Sequence, residues 1–94
     1  MKEKFSKWDA SKHLKTEAHV TAYLNAAFEE YGDDPAFIAH AFGVVARARG
    51  MSKVARKAGL SREALYRALS MDGNPEFATI LKVVNALGIH LRAA

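Results

Sequence analysis

Apolar residues recur at intervals of three and four along most of this chain, the period of an α-helix with one buried face. Val20, Tyr23, Leu24, Ala27, Phe28 and Tyr31 form the first stripe, opened by Thr16 with Glu17 and closed by Gly32. Asp34-Pro35 then supplies an N-cap and a first-turn proline for a second helix to about Arg49, with Phe37 or Ile38, Ala41, Phe42, Val45 and Ala48 facing inward and Gly50 after it. Two short helices are expected over 52–58 and 62–70. Asn74-Pro75 repeats the cap-plus-proline device and opens a last helix to about Leu87, striped by Phe77, Ile80, Leu81, Val84 and Leu87 and stopped by Gly88. The tail Ile89-His90-Leu91-Arg92 alternates apolar and polar residues. That alternation admits a short terminal β-strand, paired with the N-terminal segment or with a second subunit. Residues 1–15 are polar and basic and read as an N-terminal arm, with at most a short extended piece over 8–14; 16–94 reads as one domain. The pattern predicts an all-α, five-helix fold.

The join between the third and fourth helices has the internal spacing of a helix-turn-helix. Ala55 stands four residues before Gly59, where a small side chain lets the two helices approach. Gly59 falls where the first of them must end and the chain reverse, a position that favours positive φ and therefore glycine. Leu60 plugs the corner, Val54, Ala58, Leu65 and Ala68 supply the faces to be buried, and Ser61 is placed to cap the second helix.

An ordinary αα-hairpin satisfies the same spacing, so charge has to separate the two readings. Across 47–67 there are seven cations (Arg47, Arg49, Lys53, Arg56, Lys57, Arg62, Arg67) and one anion, Glu63. Across 16–46 there are five anions (Glu17, Glu29, Glu30, Asp33, Asp34) and no Lys or Arg. A solvated face without a partner mixes its signs; a basic block centred on such a corner is the footprint expected for phosphate binding.

Composition bounds the rest. At 94 residues and net charge +4 the chain is most economically one domain, small enough that burial through dimerisation would help it. No apolar run approaches the roughly 18 residues needed to span a bilayer, and the start has no secretory pattern, so a soluble, cytoplasmic protein without membrane contact is expected. The absence of cysteine excludes disulfides and thiolate metal sites.

The candidate chemistry lies on the third and fourth helices. Ser61, Arg62, Glu63, Tyr66 and Arg67 occupy positions that would meet base edges or nearby phosphates of a duplex, whereas Ser52, Lys53, Arg56 and Lys57 lie where the DNA backbone would run. Arg62 or Arg67 can bind guanine O6 and N7 with its two-pronged guanidinium. Glu63 either accepts from cytosine N4 or complements the helix dipole. Tyr66 touches a thymine methyl or a phosphate, or else packs against Phe77. His13, His19, His40 and His90 lack metal-ligand spacing, so no metal or other cofactor is assigned. Glu29-Glu30 and Asp33-Asp34 flank a helix end and a helix start without any nucleophile or base, and no enzyme is expected.

The segments ARARGMSKVARKAGLSREALYRALS and GNPEFATILKVVNALGIHL resemble the lambda-repressor-like, Xre-type DNA-binding domains. With the YLNAAFEE first helix, the GNPEF step and the VVNALGIHL ending, the chain resembles more narrowly the short addiction module antidote proteins related to HigA antitoxins. That resemblance implies a repressor of its own operon that binds operator double-stranded DNA and also neutralises a RelE/ParE-like toxin. Toxin contact, implied by resemblance alone, is expected in the N-terminal arm and first helix, at Trp8, Leu14, Tyr23 and Phe28; core or dimer packing competes for the last two. Two-fold DNA reading asks for a homodimer, with 77–91 as the expected seam. A stand-alone prophage-type regulator of the Xre type, or a helical interaction module without DNA binding, remains open.

Overall fold

A computed structural model describes residues 14–93. Its five helices are α1 (Glu17–Tyr31), α2 (Pro35–Arg49), α3 (Met51–Ala58), α4 (Arg62–Ala68) and α5 (Phe77–Leu87). The helix starts follow from capping chemistry. Thr16 accepts from the His19 N–H at 3.1 Å, Asp34 from the Phe37 N–H at 3.1 Å and Ser61 from the Ala64 N–H at 3.0 Å. Two of the stops are glycines in the left-handed region, Gly59 at φ 74° and Gly88 at φ 72°. After each, the next apolar residue reaches back, Leu60 N–H to the Ala55 carbonyl at 2.9 Å and Ile89 N–H to the Val84 carbonyl at 3.1 Å. These bonds satisfy carbonyls that the helix ends would otherwise leave open, and they tuck Leu60 and Ile89 against the core.

α2 is the axis of the domain. It packs against α1, α3 and α5, and an unbroken run from Ala41 to Ala46 is buried. Such all-round burial departs from the single inner face expected of it: Val44 and Ala46 lie off the stripe, and both are covered. Gly43 explains one side, since a Cβ there would stand 3.1 Å from the Leu69 carbonyl oxygen, so its absence lets the end of α4 pack on α2. Phe42, Val45, Leu65 and Val83 are the most completely enclosed large side chains. No polar or charged residue is buried among the described residues, so all side-chain chemistry is at the surface.

Three expectations change. α5 begins at Phe77 with Glu76 as its N-cap, two residues beyond the Asn74-Pro75 start, and Glu76 makes no side-chain cap bond. Proline presets its own φ without committing the following residue to a helix, and here Asn74-Pro75 spans the approach to α5 instead. α4 ends at Ala68 with Leu69 as its C-cap, short of residue 70. Residues 89–93 form no strand: the Ile89 N–H is spent on the α5 terminus, and no described segment offers a ladder to the rest. Of the expected extended piece over 8–14, residues 8–13, Trp8 among them, lie outside the described residues. Leu14, assigned to the arm, packs against the core. Among the described residues no helix is long and apolar enough to cross a membrane.

Candidate nucleic-acid interface

The corner between α3 and α4 is where the sequence concentrates its charge. In α3, Met51, Val54, Ala55 and Ala58 are buried, an i, i+3, i+4, i+7 set that leaves Ser52, Lys53, Arg56 and Lys57 on the opposite, exposed face. In α4, Leu65 is wholly buried, with Leu69 beyond its end nearly so, which turns Arg62, Glu63, Tyr66 and Arg67 outward. Ser61 is exposed as well, its hydroxyl engaged as the cap of α4. All nine residues singled out from the sequence are thus on the surface, on two consecutive elements joined by Gly59-Leu60-Ser61.

The side chains differ in how they are held. Arg62 Nη2 donates to the Tyr66 hydroxyl at 3.3 Å while its guanidinium carbon stands 5.5 Å from the centre of the Tyr66 ring. Such a cation–π pair contributes about 0.5–1 kcal/mol at an exposed site, enough to bias the arginine toward one pose. Tyr66 therefore meets Arg62, and Phe77 is itself 71% exposed. Lys53, Arg56, Lys57 and Arg67 have no ion pair among the described residues. Glu63 sits in the first turn of α4, where a carboxylate favours the positive end of the helix.

Arg49 behaves otherwise. Its guanidinium donates to the Leu87 carbonyl at 3.4 Å and pairs with Glu17 at 3.4 Å, tying the end of α2 to the C-terminus of α5 and the start of α1. One cation of the basic block thus crosses to the acidic half of the chain, a contact that no local pattern signals. Lys57 lines the same hollow, about 480 Å³ in volume, beside the α5 terminus.

Burial depresses the His40 pKa, and the nearby Arg47 charge depresses it further. The unfolded chain therefore takes up that proton first, so the contribution to stability is complete above the ordinary histidine value of about 6.5 and is lost as pH falls through the folded value. Burial raises the Tyr23 pKa, with Arg47 opposing it; Tyr23 is half-buried against the core, and Phe28 is exposed with its ring edge toward Phe42 at 6.2 Å. His19 and His90 are exposed, His13 lies outside the described residues, and no group able to hold a metal occurs among those described.

An all-helical fold with an exposed basic corner agrees with a small domain of helix-turn-helix type. A family model described as "Probable addiction module antidote protein" matches residues 4–94, and the chain belongs to that family. A protein of Haemophilus influenzae described as uncharacterized is 46% identical over 92 residues, covering 98% of this chain and 93% of the relative. No solved structure matches significantly. Membership carries the role of an antidote, an antitoxin with a toxin for its partner, in a family that is generally non-enzymatic.

Proposed function

We propose that this antidote is a HigA-like, Xre-type antitoxin that represses its own operon by binding operator DNA and neutralises a RelE/ParE-like toxin. The observation that carries the DNA half is the corner itself: four cations with no ion pair among the described residues, Lys53, Arg56, Lys57 and Arg67, are exposed on the two helices that meet at the capped start of α4. Phosphates on either side of a groove meet Lys53, Arg56 and Lys57, positioning α4 without reading sequence. Arg67 is the freer base reader, while Arg62 is preset by Tyr66 and loses less freedom on docking. The protein acts as a homodimer. Phe77 and Leu81, one turn apart and both exposed on α5, together with exposed Leu91, support the seam over 77–91.

The test is a titration of the pure protein against the duplex upstream of its own reading frame and against a scrambled duplex, at several salt concentrations. The upstream duplex should bind at least a hundredfold more tightly, with log K falling linearly in log salt by about 0.9 per phosphate contact. Equal affinity for both duplexes, or an affinity indifferent to salt, would reject the repressor reading.

A further inference from the structure

Opposite in character to the basic corner, a groove opens where α1 turns into α2. Phe28 and Ile38 form one wall, the buried Phe42 the floor, and Pro75 with Ile80 the other wall, enclosing about 290 Å³. That is near the lower limit for a small-molecule site and suits one or two inserted side chains. The α1–α2 wall is held stiffly. Asp34 caps α2, its N–H meets the Tyr31 carbonyl at 2.9 Å, and the Tyr31 and Phe37 rings lie 4.0 Å apart between centres. Gly73 permits the opposite wall, since a Cβ there would fall 2.4 Å from the Arg67 carbonyl oxygen.

Among the described residues, the charge lining this opening is negative. Asp33 lines it, and Glu29 and Glu30 occupy the final turn of α1 just before it. None of the three has an ion pair among the described residues, and α1 has no basic residue in its last turn. Carboxylates at the C-terminal end of a helix oppose its dipole, so the placement of Glu29 and Glu30 is locally unfavourable. Local rules are broken in this way chiefly where a surface serves a partner.

We infer that this groove is the toxin-binding surface, and that it takes a toxin segment carrying one apolar side chain flanked by lysines or arginines. The apolar anchor enters between Phe28 and Ile80, and the flanking cations meet Asp33, Glu29 and Glu30. This rests on the antitoxin reading above. It places the contact at the C-terminal end of α1, on residues other than the nine of the α3–α4 corner.

The experiment measures affinity between the full-length chain and the purified toxin encoded beside it, for the wild type, Glu30→Lys with Asp33→Lys, Phe28→Ala and Trp8→Ala. The charge-reversal pair changes two exposed residues, and thermal melting checks that it folds. Both groove variants should bind the toxin at least tenfold more weakly, the charge reversal losing its effect in high salt, while their duplex binding is unchanged. Toxin affinity equal to wild type in the groove variants, with loss in Trp8→Ala alone, would overturn the inference and move the contact to the arm. A change in self-association of the groove variants with toxin binding intact would overturn it in favour of a second copy. A wild-type chain that binds no toxin would instead reject the antitoxin reading itself.

Discussion

The α3–α4 corner and the α1–α2 corner are both turns between helices, yet their charges obey opposite rules. At the basic corner Arg56 and Lys57 in the last turn of α3 and Glu63 in the first turn of α4 sit where the helices favour them, with Ser61 capping and Gly59 in the left-handed region, while Lys53 and Arg62 stand in first turns. At the acidic corner, Glu29 and Glu30 crowd the negative end of α1 with no cation near them in sequence. The first corner is stable on its own terms and offers its cations to whatever binds. The second stores a small repulsion that no ion pair among the described residues relieves. A surface that agrees with its own helices and one that conflicts with them can both be functional, and they respond to substitution in opposite directions.

The largest effect is expected beneath the basic corner. Leu65 is wholly buried and holds α4 against the rest of the domain. Leu65→Ala should cost about 2–5 kcal/mol in urea unfolding, a large part of the roughly 5–15 kcal/mol available to a domain of this kind. It should weaken duplex binding even below the melting temperature while every cation remains in place. Unfolding at the wild-type urea midpoint would show that α4 is not seated as described, and the contrast between the corners would lose its structural basis.

Next come the cations themselves. Arg67→Ala should cost about 1–3 kcal/mol on the specific duplex and far less on a scrambled one. Lys57→Ala should weaken both about equally and reduce the log–log salt slope by about one. Because Lys57 also lines the hollow at the α5 terminus, its substitution should lower the melting temperature slightly as well. Identical binding profiles for the two variants would erase the division between reading and positioning within the basic corner.

What was legible in the sequence follows the same division. Thr16, Asp34, Ser61, Gly59 and Gly88 were readable because cap and turn chemistry acts over three or four residues, and all five perform as expected. The exposure of the nine corner residues followed from helical period alone. Long-range contacts were not readable: the reach of Arg49 to Leu87 and Glu17, the closeness of Gly43 to Leu69, and the meeting of Phe28 with Pro75 and Ile80. The acidic groove went unseen for that reason. Its charges are local, but its apolar walls come from segments far apart in sequence, and Glu29-Glu30 with Asp33-Asp34 looked like solvated helix ends. The late start of α5 has a similar cause, since Asn74-Pro75 satisfies the local rule for a helix start at a place where the chain is passing over the end of α4.

The smallest effect separates the corners most sharply. Glu30→Lys replaces an anion by a cation at the negative end of α1, and should raise the stability of the free protein by about 0.3–1 kcal/mol. For a domain of this size that is a rise of a few degrees in melting temperature, shrinking as salt screens the exposed charge. Neither Arg56 nor Lys57 offers a comparable gain, since both already sit at the favourable end of α3. A protein that becomes more stable while binding its toxin less well would show that Glu30 is kept for a partner at the expense of the fold. A melting temperature that falls instead would mean that Glu30 is already paired within the free protein, and the acidic corner would then obey the same rule as the basic one.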